Sequence, residues 1–114
     1  MTHVVTEPCI RCRYTDCVES CPVDCFHVGP SFVVIDPEVC IDCALCVPAC
    51  PVQAIRHADE LTLADQDFLA LNANLARAWP VLAHPLPPPA DAELWRRVTD
   101  KRRWLASDEI LPPG

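Results

Sequence analysis

The chain has 114 residues and a formal net charge of −7, enough for one small domain with an extension. All nine cysteines fall between Cys9 and Cys50, a density that calls for metal or disulfides. The acidic balance argues against nucleic acid and reads either as docking to a basic protein surface or as acids that keep a small protein soluble, and no apolar run is long enough to cross a bilayer.

The first residues, MTHVVTEPC, carry neither a basic n-region nor an apolar h-segment, so no signal peptide and a cytoplasmic location are expected. A disulfide framework is not expected there, and the odd cysteine count points the same way. Val4-Val5 predicts a short first strand. The loop CIRCRYTDCVESCP comes next over residues 9–22, with one or two helical turns predicted after Cys17 and Asp16 suited to cap them. Phe26 to Val28 is expected to pair with Phe32 to Ile35 across the Gly29-Pro30-Ser31 turn. A second loop, CIDCALCVPACP over residues 40–51, leads to a last strand at Ala54 to His57.

The two loops are copies. Cys9 and Cys12 match Cys40 and Cys43 at an offset of 31, whereas Cys17, Cys21, Pro22 and Val23 match Cys46, Cys50, Pro51 and Val52 at 29. The first copy is therefore two residues longer between its second and third cysteines. The element order predicts an α+β chain: a ferredoxin-like βαββαβ pseudo-two-fold repeat over residues 1–58, divided near residue 30. So thin a core needs a staple, which metal can supply.

Residues 59–114 form an extension. Phe68, Leu71, Leu75 and Trp79 make one stripe of an amphipathic helix that Pro80 stops. A stiff proline-rich link spans 80–90. Asp91 then predicts the cap of a second helix with Leu94, Trp95, Val98 and Leu105 on its apolar side. These helices read as a cover over the cysteine loops or as a partner-docking arm, and the cover is expected, since apolar stripes usually mark a buried face. Residues 1–90 hold eleven acids and four bases, while 91–114 hold five of each. Arg96, Arg97, Lys101, Arg102 and Arg103 are expected to fold back on the acidic head, burying Trp95 and Trp104 with them. Asp59, Glu60, Asp65 and Asp67 read as a solvated face, and His3, His27, His57 and His84 show no ligand spacing.

The second loop fits C-x2-C-x2-C-x3-C-P, the bacterial iron–sulfur run whose fourth cysteine serves the other cluster. Zinc uses four ligands, and nine cysteines in two interleaved runs exceed that. Cys40, Cys43 and Cys46, completed by Cys21, make a full set for a 4Fe–4S cluster. The other site draws on Cys9, Cys12, Cys17 and Cys50. If the longer loop bulges outward, Cys12 swings off and three thiolates remain, enough for a 3Fe–4S cluster; with Cys12 kept as a ligand the protein holds eight irons.

The stretches CIRCRYTDCVESCPVDCF, FVVIDPEVCIDCALCVPACPVQAI and LNANLARAWP resemble the seven-iron bacterial ferredoxins, in particular the long Azotobacter type. The resemblance fades from Asp91 on. It implies that Cys9, Cys17 and Cys50 hold a 3Fe–4S cluster and Cys21, Cys40, Cys43 and Cys46 a 4Fe–4S cluster, leaving Cys12 and Cys25 free. Cys25 stands where the second copy has Ala54, so it reads as a small buried hydrophobe, or as a spare thiol beside the 4Fe–4S cluster. Asp16, next to Cys17, is the candidate proton relay.

The function expected is that of a soluble one-electron carrier and not an enzyme, since no nucleophile–base pair, phosphate loop or nucleotide fingerprint occurs. A flavin-containing reductase would supply electrons and an oxidoreductase such as a monooxygenase would accept them, with no membrane partner and the chain a monomer. The alternatives are an iron- or oxidant-responsive regulatory protein, and an enzyme subunit clamped to its partner by the extension.

Overall fold

The computed structural model of the chain describes residues 2–98 and Lys101. Four strands of three residues each carry the head: β1 (His3–Val5), β2 (Phe26–Val28), β3 (Val33–Ile35) and β4 (Ile55–His57). They form two antiparallel pairs. β2 meets β3 as expected, with Phe26 opposite Ile35, and the Gly29 amide donates to the Phe32 carbonyl at 2.9 Å to close the turn. β1 meets β4, the first strand closing on the last, with His3 opposite His57.

The helical turns predicted after the cysteines are tighter than α. Asp16–Ser20 is a 3-10 turn, and the corresponding stretch of the second loop forms only hydrogen-bonded turns. Asp16 is the first residue of its turn and not the cap: Thr15 stands at the cap position, and its side chain makes no capping bond. The Thr15 hydroxyl is committed elsewhere, to Leu86.

In the extension, α1 (Asp67–Ala78) follows the predicted stripe. Phe68 and Leu75 are buried and Leu71 and Trp79 pack against the core. Phe32 lies between Phe68 and Trp79, with ring centroids 6.3 and 6.5 Å away. The Trp79 indole presses so closely on Gly29 that any side chain there would collide with it, which explains a glycine in that turn. Beyond α1 the chain continues beside β2: the Val28 amide donates to the Pro80 carbonyl at 3.0 Å and the Leu82 amide to the Phe26 carbonyl at 2.9 Å.

The second helix departs from expectation. α2 (Ala92–Trp95) is a single turn. Asp91 holds the cap position, but its carboxylate accepts from the Trp95 indole N–H at 2.9 Å instead of capping. Ala92 is the buried residue, while Leu94 is 77 % and Val98 38 % exposed. The turn lies flat on its alanine side, because that side brings its backbone to the cysteine loop. Trp104, Leu105, Arg102 and Arg103 lie outside the described residues. Asp59, Glu60 and Asp67 are exposed, and Asp65 is half-buried. Among the described residues no helix is long and apolar enough to cross a membrane.

One side chain joins the parts. Asn72 is buried on α1. Its Oδ1 accepts the amides of Val5 and Ile35, each at 3.0 Å, and its Nδ2 donates to the carbonyls of Val5 at 2.9 Å and Phe68 at 2.8 Å. The amide thus uses its full capacity to tie both strand pairs to the helix. Asn72→Leu would leave three strand groups unpaired in an apolar setting, at about 1–3 kcal/mol each. We expect the melting temperature of the loaded protein to fall by about 10 °C or more; a fall below about 4 °C would show that the strands hold together without it.

Candidate metal centre

Two loops supply the thiols, and both are bent by left-handed residues. Arg11 (φ 69°), Arg13 (φ 40°) and Asp24 (φ 53°) bend the first; Asp42 (φ 62°), Ala44 (φ 64°) and Gln53 (φ 56°) bend the second. The six fall at matching positions of the two copies. None is glycine, so each conformation costs roughly 1–2 kcal/mol. At Asp24, Asp42 and Gln53 the bend accompanies an N–H aimed at sulfur. The Cys25 amide donates to the Cys21 sulfur and the Ala54 amide to the Cys50 sulfur, each at 3.3 Å, and the Asp42 amide to the Cys40 sulfur at 3.4 Å. Such bonds favour the thiolate over the thiol and bear on the potential of a bound iron–sulfur group.

Cys21, Cys40, Cys43 and Cys46 line one small hollow, with Cys25 and His3 on its wall. Three of these thiols come from the second loop and one from the first. Cys25 is buried with its sulfur 3.2 Å from that of Cys21, so the spare thiol does sit beside this set. Tetrahedral zinc, about 2.3 Å from each thiolate, would draw four sulfurs to about 3.8 Å from one another. Among the described residues no group of three His, Cys, Asp or Glu side chains is placed to hold a single metal ion. Thiols that surround a space fit a multi-iron core better than a single ion.

Cys9, Cys17 and Cys50 lie near one another, and Cys12 lies near Cys9 and Cys50 as well. Burial pushes the Cys9 thiol up to about 12; a Val33 backbone hydrogen bond opposes the rise and the neighbouring Cys50 adds to it. Cys17 is pushed up by burial and then by Cys9 and Cys50. In the first set, burial and then Cys40 push Cys46 up to about 12. These thiols hold their protons firmly, so ligation has to displace protons and weakens as pH falls.

Cys12 is fully buried, but its sulfur faces the extension. The thiol donates to the Ala92 carbonyl at 3.4 Å and accepts from the Lys101 ammonium at 3.5 Å. The longer loop does not bulge into solvent; it lies under the extension. Arg13 donates to the Pro87 carbonyl at 3.0 Å, the Tyr14 hydroxyl to the Glu93 carboxylate at 3.1 Å, and Thr15 both donates to and accepts from Leu86, at 2.8 and 2.7 Å. The stretch that is longer in this copy is where the extension grips, through Arg13, Tyr14 and Thr15. Asp16, next in line, is exposed.

Sequence spacing assigns no role to the histidines, yet two of them bracket the second loop. Asp42, between Cys40 and Cys43, has His3 Nδ1 2.8 Å from Oδ1 and receives a hydrogen bond from His57 Nε2 at 3.0 Å on Oδ2. His57 Nδ1 accepts from the Asp59 amide at 3.1 Å, which leaves the ring proton on Nε2. His3 and His57 meet only because β1 pairs with β4. The strand pair therefore orients the loop that carries three thiols.

Comparison with known proteins agrees with this chemistry. The model of the 4Fe-4S binding domain matches residues 33–56, and that of a domain of unknown function, DUF3470, matches residues 66–107. Ferredoxin from Rickettsia felis is 57 % identical over 56 residues, 49 % of this chain and 51 % of that protein. Ferredoxin-1 from Caulobacter vibrioides is 50 % identical over 101 residues, covering 89 % of this chain and 88 % of that protein. A likeness of that extent, over a fold that gathers cysteines from two repeated loops, makes the chain a member of the bacterial ferredoxins, iron–sulfur electron carriers and not enzymes.

Proposed function

We propose that the chain is a soluble, cytoplasmic, monomeric carrier that holds a 3Fe–4S cluster on Cys9, Cys17 and Cys50 and a 4Fe–4S cluster on Cys21, Cys40, Cys43 and Cys46. When bound, each cluster stores and releases one electron. The observation that carries the reading is the partner set of the Cys12 sulfur, which lies near Cys9 and Cys50 but is engaged by Ala92 and Lys101 of the extension. The matched left-handed residues of the two loops support a βαββαβ pseudo-two-fold head over residues 1–58, which 59–114 extends.

The partners in this proposal are a flavin-containing reductase as donor and an oxidoreductase such as a monooxygenase as acceptor. Cys43 is exposed, and beside it Ile41 and Leu45 are each 57 % exposed. An apolar spot at a cluster ligand, on a head that carries the net acidity, suits brief docking to a basic redox protein. Asp16 passes a proton inward from solvent, past Cys17, as the first site takes up an electron. Charge added in a region of low effective dielectric is expensive, and a proton offsets it.

Protein purified without oxygen is expected to contain seven irons, three plus four, with an isotropic oxidised resonance at g of about 2. Eight irons without that resonance would sink the three-iron assignment. In voltammetry, the potential of the first site should fall by up to about 59 mV per pH unit, one proton accompanying one electron. Asp16→Asn should slow that protonation. A pH-independent potential would refute proton coupling altogether, whereas unchanged protonation rates in the variant would remove only Asp16 from it.

A further inference from the structure

Lys101 is 1 % exposed, although lysine is almost never fully buried unless paired. A buried ammonium is tolerated only where its protons are all received. Its three protons go to the Pro8 carbonyl at 2.7 Å, the Trp95 carbonyl at 3.1 Å and the Cys12 sulfur at 3.5 Å. Among the described residues no carboxylate pairs with it. The sulfur is thus the one partner of the three that could itself carry charge. Pro8 and Trp95 fix the ammonium from both sides, one on the head and one on the extension, so its position is set independently of Cys12.

Seen from the thiol, both hydrogen-bond partners of the Cys12 side chain belong to the extension. Its backbone does not: the Cys12 amide donates to the Cys9 carbonyl at 3.0 Å, within the turn that carries Cys9 itself. The main chain is therefore already near the first site. Rotation of one side chain, more than movement of the loop, decides where the sulfur goes.

We propose that Lys101 is a positioning residue that sets how many irons the first site holds, by keeping the Cys12 sulfur on the side of the extension. This rests on the reading of Cys9, Cys17 and Cys50 as a three-iron ligand set. Without the ammonium, Cys12 loses its cationic partner and is free to turn toward the open corner. There it would bind an added ferrous ion against a core already reduced by one electron. The new bond is thiolate to iron, the thiol proton leaves to solvent, and no further electron is transferred.

The test uses the loaded protein and its Lys101→Met variant, in which an unbranched apolar chain fills the same space. Both are purified without oxygen, reduced with dithionite, supplied with ferrous ion and freed of excess. Iron is then counted and the oxidised resonance at g of about 2 recorded. Wild type is expected to stay at seven irons and keep the resonance, and Lys101→Met to reach eight and lose it. The double variant Lys101→Met with Cys12→Ala should return to seven with the resonance restored. A Lys101→Met protein that stays at seven, or gains its eighth iron equally well without Cys12, overturns the proposal. So does loss of iron from both sites alike, which would make Lys101 a support of the fold and not of the thiol. Eight irons in wild type as purified would instead remove the three-iron reading beneath it, an outcome visible before any variant is made.

Discussion

The Asn72 amide is the constraint on which the rest of the head depends. Strands of three residues cannot sustain an isolated hairpin in water, and the two pairs here share no ladder. What makes them one body is a helix side chain that accepts the Val5 and Ile35 amides together. The phenyl ring of Phe68 and the side chain of Leu75, one turn to either side, bury the apolar face that drives α1 onto the strands. Burial supplies the attraction, and the amide supplies the register. Because β1 also pairs with β4, the same contact reaches through His57 and His3 to Asp42 and so to the second cysteine loop.

Both cysteine loops accept strain that an ordinary turn would assign to glycine. The chain has two glycines, and neither stands in these loops. At Asp24, Asp42 and Gln53 the left-handed bend accompanies an N–H directed at sulfur, while the Arg11 and Arg13 amides donate to the Ser31 and Cys9 carbonyls. In an empty loop such bonds are weak compensation. With thiolates in place they become charge-assisted and roughly twice as strong. The backbone geometry therefore makes sense as a mould for anionic sulfur, which ties the local conformation to the metal chemistry.

Much of this was legible in the sequence where a local period or spacing expressed it. The β2–β3 hairpin and the stripe Phe68-Leu71-Leu75 are local patterns, and both appear in the structure. Asn72 was illegible, because an asparagine on an amphipathic helix reads as a polar surface residue until tertiary contacts show what it meets. The pairing of His3 with His57 likewise exists only once the first strand closes on the last. Asp16 looked like a cap by type, yet the longer loop shifts the start of its turn back to Thr15. α2 misled for a different reason: its apolar residues suggested a face, but the turn docks through backbone and Ala92, leaving Leu94 in solvent. The two extra residues of the first loop were plain in the alignment of its copies, though what holds them was not.

What holds them is also what distinguishes a charge-driven cover from a structural one. Arg96 and Lys101 of the basic segment reach the head, donating to the Pro51 and Pro8 carbonyls. Arg96 stacks over Tyr14 with its guanidinium 5.6 Å from the ring, and Arg11 over Trp95 at 5.3 Å. Such exposed contacts are worth roughly 0.5–1 kcal/mol each and do not discriminate between one register and the next. The bonds from Thr15 to Leu86, from Arg13 to Pro87 and from Lys101 to Pro8 are directed at main-chain groups and admit a single register. They are also short-ranged, so salt screens them little. The proline-rich link suits this use, since a chain already stiff loses little entropy on being pinned at a few points. An extension held this way does not slide over the first loop. Its Ala92 carbonyl and Lys101 ammonium engage the Cys12 sulfur, and so in the proposed arrangement the ligand count of a site drawn from residues 9–50 comes to depend on a lysine 51 residues beyond Cys50.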